Sequence, residues 1–450
     1  MTDRLPLPDL AEALVDHARA AGAEEADALA VAARSLSIGV RGGRLEHAER
    51  SEKVEVGLRV IVDRRQALVS SSDITPSTLR EIAERAVTMA RAAPRDEALG
   101  LAEPRQLAAE RDPAPLELCD PSAEPGPAAL EELGKAAEAA ALAVDGVAQV
   151  SEAGAGWELV RSHLAASNGF SGGHARTSHS LWCVAVAGEG REMQRDYRSE
   201  SRVFAADMPP PEEIGRSAGE RAAAMRGATR PPTGAFAVIF DERVAASLAG
   251  HLLAAINGDA IVRGASWLRD AMGEAVLPAG IDLVEEPHRR RIAASRLFDA
   301  EGLATRPRAF VENGVLRSWV LDLATGRRLS LPSTANAARS TSSPPRPAVT
   351  SIRLTEGTAD RAALMREAGT GLLVTSLMGA TINPNTGDYS RGASGFWFED
   401  GEIVRPVHEC TIAGNLREML RSIRPANDAD QWRSWRVPSL LVEGLTIAGE

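Results

Sequence analysis

Seven prolines, at positions 94, 104, 113, 115, 121, 125 and 127, fall between Ala93 and Pro127. Each removes a backbone donor and fixes φ, so neither a helix nor a central strand can run through this stretch. The chain must therefore build its regular structure on either side of a linker. A second break, Arg230-Pro231-Pro232-Thr233-Gly234, has the same chemistry. Together they predict an N-terminal unit over 1–112, a middle unit over 113–230 and a third unit over 231–450. At 450 residues the chain is long enough for each unit to bury its own apolar interior.

Within those units the local signals are plain. Leu10, Leu14 and Ala18 repeat at helical spacing, which predicts a first helix over Leu10 to Ala21. Ala26 to Val40 and Val54 to Val62 read as paired strands, with Arg41-Gly42-Gly43 turning between them. A strand over Gln66 to Ser70 leads to Thr75-Pro76, where proline in the first turn predicts a helix running to Ala92. Beyond the linker, Ala128 to Val144 and Glu212 to Arg226 predict helices. Val147 to Phe204 predicts strands interrupted at Ser167-Asn168-Gly169 and at Ser171-Gly172-Gly173. The third unit opens with a strand over Ala235 to Phe240 and a helix over Asp241 to Ile256. Asn313-Gly314 and Asp400-Gly401, between apolar runs, predict two tight hairpins, because these residues tolerate the positive φ of type I′ turns. Thr341 to Pro347, with three prolines, predicts a mobile loop.

Composition excludes several classes. A net charge of −11 without a Lys/Arg block argues against nucleic acid, whose binding rests on neutralised phosphates. The short run His288 to Arg291, HRRR, reads as a solvated basic turn. Cys119, Cys183 and Cys410 are an odd, scattered set with no zinc-ribbon spacing, as expected in a reducing compartment. The start MTDRLPLPDL lacks the basic-then-apolar order of an export signal, and no uncharged apolar run reaches eighteen residues. A cytoplasmic location with no membrane partner is expected. No GxSxG elbow, P-loop or dinucleotide fingerprint occurs.

Two segments carry the specific signal: GATINPNTGDYSRGASGFWF from Gly379 to Phe398, and TIAGNL from Thr411 to Leu416. In order and spacing they resemble the C-terminal motifs of the TldD/PmbA family, also called modulator of DNA gyrase, and of its PmbA/TldE branch in particular. The likeness extends to the three-part layout over essentially the whole chain. It implies an α+β fold: an N-terminal α/β sandwich-like domain, a small middle α+β unit, and a C-terminal β-rich domain with helices around a barrel-like antiparallel sheet. It also implies one half of a heterodimer in which TldD-type and TldE-type subunits cleave peptides and unfolded proteins.

In that family the TldD-type subunit binds zinc through HExxxH on a helix and a cysteine near the C-terminus, the ligand set that turns water into a nucleophile at neutral pH. Aligned on the shared Gly258-Asp259, the motif falls on Ala249, Gly250 and Ala254 of this sequence. Near the C-terminus stands Trp435-Arg-Val-Pro438, again without a ligand. The resemblance thus implies a subunit with no catalytic residues and no cofactor of its own, paired with a TldD-like chain that holds zinc, or homodimeric in isolation. Pocket or peptide-binding candidates are His251, Asn257, Asp388, Tyr389, Ser390 and Ser394; Asp388 and Ser390 would hold a peptide along an open sheet edge. An alternative metal set is His251, His408 and Cys410, the last two alternating on one strand face. With it goes the alternative of a self-sufficient homodimeric peptidase. A further alternative is a regulatory module that binds a toxin-antitoxin or topoisomerase partner without proteolysis.

Overall fold

A computed structural model describes residues 6–449; the first five residues of the start considered for an export signal lie outside it. The N-terminal and middle segments build one sheet between them. Helix α1 (Leu7–Ala20) precedes strands β1 (Glu25–Arg41), β2 (Arg44–Val62) and β3 (Arg65–Ser71) and helix α2 (Pro76–Ala92). After the proline-rich stretch come α3 (Pro127–Leu142), β4 (Val147–Ala166), β5 (Ser171–Ala187), β6 (Gln194–Arg202) and α4 (Pro211–Ala224). The strands hydrogen-bond in the order β3-β2-β1-β4-β5-β6, so β1 and β4 weld the two halves into six strands. Proline begins α2, α3 and α4, where its missing N–H is no loss.

All four helices lie on one face. Ala26, Ala28 and Ala30 of β1 pack under α1 and α2, and Leu36, Ile38 and Val40 of the same strand pack under α3 and α4. Residues of the other parity, among them Asp27, Leu29 and Val31, therefore point to the helix-free face. The β1–β2 turn is the Gly42-Gly43 pair, with φ of 59° and 70°. Its two N–H groups donate to Glu138 of α3, to Oε1 at 2.6 Å and Oε2 at 2.8 Å, and Glu138 is itself 3 % exposed.

The third unit opens with β7 (Gly234–Phe240), α5 (Glu242–Ala255) and α6 (Gly258–Val262). Short pieces follow: β8 (Leu283–Glu285), β9 (Arg308–Glu312), β10 (Val315–Leu316), α7 (Leu323–Arg328), β11 (Ala337–Ser340), β12 (Ser343–Pro347), β13 (Ile352–Leu354) and α8 (Arg361–Ala368). The chain ends with β14 (Gly371–Ile382), β15 (Asp388–Glu399), β16 (Glu402–Asn415), α9 (Leu416–Arg421), β17 (Arg424–Pro425), β18 (Trp435–Arg436) and β19 (Leu440–Ala448). Strands β16, β15, β14, β7 and β19 pair in sequence and β19 returns to β16, closing a barrel. The β7–β14 pairing is parallel and the rest are antiparallel. Both Asn-Gly and Asp-Gly hairpins form, β9–β10 and β15–β16, with Asn313 and Asp400 at φ 48° and 51°.

Three local expectations change. Thr341 to Pro347 is not a mobile loop: Ser343–Pro347 pairs with Ala337–Ser340, and the hairpin seats on the helix-free face. Gly57 makes room for it, since a Cβ there would lie 2.0 Å from the Thr341 carbonyl oxygen. Ser171-Gly172-Gly173 does not interrupt the sheet but starts β5, because glycine lets Phe170 and Phe298 pack against the strand. The HRRR run is not a free basic turn. Arg291 bonds Glu117 and Asp207 and lies over the Phe204 ring, while Arg289 donates to the carbonyls of Gln431 and Arg433.

The proline-rich stretch lies pinned along the molecule. Arg327 donates to the carbonyls of Ala98, Gly100 and Leu101, and the Thr177 N–H donates to Leu118. Nearby, Glu301 is buried; desolvation first, then Asp299 and Asp322, hold its pKa well above the ordinary 4.5.

Two outcomes test this account. Glu138→Ala leaves both turn N–H groups without their carboxylate and should cost about 1–3 kcal/mol in chemical denaturation. Glu301 retains its proton in the folded state at pH values where the unfolded chain has lost it. Stability therefore falls as pH rises above 4.5. Glu301→Gln should flatten that slope, raising the melting midpoint more at pH 8 than at pH 5.

Candidate functional site

Helix α5 carries Ala249, Gly250 and Ala254, the three positions onto which the resemblance lays the metal-binding motif. Asp241 caps it, accepting from the Arg243 N–H at 3.1 Å, and pairs with the side chains of Arg243 and Arg361. Its apolar stripe of Ala245, Leu248, Ala249 and Leu252 shares one core with Val238, Phe240, Val374 and Tyr389 of the barrel. Ala249 is thus enclosed at 3 % exposure. Gly250 faces Trp435, whose ring lies 3.4 Å from where a Cβ would stand, and Ala254 is exposed. These three positions carry no donor atom for a metal.

His251, on the same helix, meets Tyr389 of β15 with ring centroids 5.8 Å apart and planes at 72°. Both polar tips, Nε2 of His251 and the Tyr389 hydroxyl, are buried without a hydrogen-bond partner among the described residues. Burial, then the Arg391 charge, lowers the His251 pKa, and burial pushes the Tyr389 phenol up to about 12. The pair is neutral at physiological pH, with neither an acid nor a base aimed at solvent.

The other predicted residues disperse. Asn257 caps α6 by accepting from the Asp259 N–H, and its amide donates to the Pro347 carbonyl at 2.9 Å. Asp388 accepts from Thr386 and Asn415 in an exposed turn, which keeps its pKa low. Ser390 and Ser394 lie on the opposite parity of β15 from the inward-facing Tyr389 and Ala393. Since β15 pairs with β14 and β16 on both sides, it offers no open edge to an added peptide strand. Glu409 adopts φ 51° in a bulge where the register slips, so Val407 and Cys410 turn inward and His408 does not share the face of Cys410. The Cys410 thiol, pushed up to about 11 by burial, donates to the Ala393 carbonyl.

No group of three His, Cys, Asp or Glu side chains converges among the described residues. The residues standing at α5 do not fit a zinc ion, and no hydrolytic step is assigned to them. No helix among the described residues is long and apolar enough to cross a membrane.

A different convergence, carried by no sequence motif, lies away from α5. His174 and Arg176 of β5, Arg296, and Arg339 of β11 line a cavity of about 540 Å³ between the helix-free face of the six-stranded sheet and the third unit. These residues come from distant segments and form no motif. The one local signal was the alternation Gly172, His174, Arg176 on one strand face.

Profiles of three consecutive domains match this chain: PmbA/TldA metallopeptidase domain 1 over residues 26–90, the central domain over 120–226 and the C-terminal domain over 233–449. The metalloprotease PmbA of Escherichia coli O157:H7 is 33% identical, aligned over 92% of this chain and 90% of its own length. A PmbA homologue of Haemophilus influenzae is also 33% identical, over 97% and 94%. Among solved structures, a candidate modulator of DNA gyrase from Bacteroides thetaiotaomicron superposes with a TM-score of 0.90 at 26% identity, covering 98% of each chain. TldE from Thermococcus kodakarensis shares the fold at a TM-score of 0.86 and 22% identity, covering 97% of this chain and 99% of its own. Relatedness on this scale, running through all three domains, makes the chain a member of the PmbA/TldD metallopeptidase family, of PmbA/TldE type.

Proposed function

We propose that this chain is the non-catalytic subunit of a cytoplasmic TldD/TldE-type peptidase. It pairs with a TldD-like chain that carries HExxxH and the zinc ion, and it forms part of the wall along which peptides and unfolded segments reach that ion. What supports this reading is α5: a helix in the family's C-terminal domain whose Ala249, Gly250 and Ala254 offer no ligand, Ala249 being packed in the core and Gly250 lying against Trp435. A metal-bound water is the nucleophile of such hydrolysis, so a chain without ligands contributes surface rather than chemistry.

The test is co-expression with a TldD-like chain. The two should co-purify in equal amounts, with zinc bound stoichiometrically to the pair and peptidase activity absent from either chain alone. Zinc and turnover in this chain by itself would overturn the proposal. Within the pair, Tyr389→Phe removes a hydroxyl that has no partner and should leave kcat/KM within about twofold.

A further inference from the structure

The cavity under the β11–β12 hairpin holds more positive charge than its own carboxylates neutralise. Its floor is the helix-free sheet face, with Leu29 and Val31 of β1, Val160 and Leu164 of β4 and His174 and Arg176 of β5. Its roof is the 294–300 segment and the hairpin, carrying Arg296, Phe298 and Arg339. Exposed Lys53 and Ser340 mark the side that faces solvent.

Arg339 has a side chain only 1 % exposed. One of its nitrogens donates to Asp27, while Nε and the other terminal nitrogen are buried without partners among the described residues. Arg176 donates to the Ser295 carbonyl at 2.9 Å, and Arg296 to the carbonyls of Ala337 at 2.9 Å and Ala348 at 3.4 Å. In both the Nε is buried and unpartnered. Neither forms an ion pair with a carboxylate among the described residues. Asp299, which also lines the cavity, spends its oxygens on the N–H groups of Glu301, Leu303 and Ala337. Glu285 behind it holds Asn336 and Thr350, and Glu55 is the remaining acid of the lining.

The positive charge registers on the neighbouring groups. Burial first, then Arg176 and Arg296, pushes His174 down to about 4, and burial with Arg296 pushes Arg176 down to about 10. Buried guanidinium N–H groups without partners are costly, and a planar fork of donors matches a carboxylate. Leu29, Val31, Val160, Leu164, Phe298 and Val349 give the lining its apolar part, beside the hydroxyls of Ser162, Thr341 and Thr350, and the volume is that of a small-molecule site.

We propose that this cavity binds a carboxylate borne on an apolar body, received by Arg176, Arg296 and Arg339 with the apolar part against Leu29, Val160, Leu164 and Phe298. The source we favour is the C-terminal residue of an apolar peptide, and that choice rests on the peptidase reading above. The anion site itself does not.

Calorimetric titration of the isolated full-length chain tests it, with N-acetyl-dileucine, its C-terminal amide, octanoate and inorganic phosphate as probes. The free acid should bind at least tenfold more tightly than the amide. Arg176→Gln and Arg296→Gln should each weaken it about tenfold, and Arg176→Lys should recover part of the loss. Val160→Trp, which fills the cavity and leaves the charges in place, should abolish binding without lowering the melting midpoint by more than a few degrees. Octanoate binding alone supports the site and assigns it to acyl carboxylates. Equal binding of acid and amide, binding of phosphate alone, or no binding of either carboxylate overturns it. Because the partner chain is absent, a failure of the peptidase proposal shows only in the co-expression assay.

Discussion

Asp27, Arg59 and Arg339 form the contact on which the rest of the arrangement depends. Asp27 lies on β1 and Arg59 on β2, both on the helix-free face, and Arg339 reaches them from the third unit. All three side chains are at most 5 % exposed. Burial opposes the ionisation of Asp27, but the Arg339 and Arg59 guanidiniums outweigh it and hold the carboxyl below its usual range. Removing Asp27 would leave two guanidiniums buried without their shared carboxylate, at a cost of about 3–5 kcal/mol. The trio therefore fixes where the hairpin lies, and Gly57 sets how closely it lies. Cavity, hairpin and sheet face are one construction.

The barrel and α5 are joined through a single apolar core. Leu248, Ala249 and Leu252 fill the same core as Phe240, Val374 and Tyr389, and the Asp241 cap holds the start of the helix. Its polar remnants, His251 and Tyr389, lie inside where burial keeps both neutral.

Much of this was legible in the residues. Thr75-Pro76, Gly42-Gly43, Asn313-Gly314 and Asp400-Gly401 each dictate a backbone conformation locally, and each element begins or turns there. The motifs from Gly379 onward carried the family. Most of the misreadings turn on contacts or backbone conformations that no local pattern displays. Ser343 to Pro347 is a strand because Ala337 to Ser340 and Gly57 receive it, and the HRRR turn is held by ion pairs because Glu117 and Asp207 stand opposite. The two-residue periodicity that put His408 beside Cys410 failed at Glu409, since a left-handed residue inside a strand leaves no mark in composition. The cationic cavity was equally invisible, its arginines being 120 residues or more apart between β5 and the third unit.

The six-stranded sheet, unlike the barrel, ends in strands with one side unpaired. At one end stands β6, QRDYRSESR, with Arg195, Asp196, Arg198, Glu200 and Arg202 in nine residues. Arg198 pairs with Glu213 of α4, and Asp196 with Arg243 of α5. A strand so dense in charge is a poor template for a foreign strand, because pairing would strip water from groups already committed to neighbours. The charge along β6 thus opposes runaway strand-on-strand polymerisation at that edge.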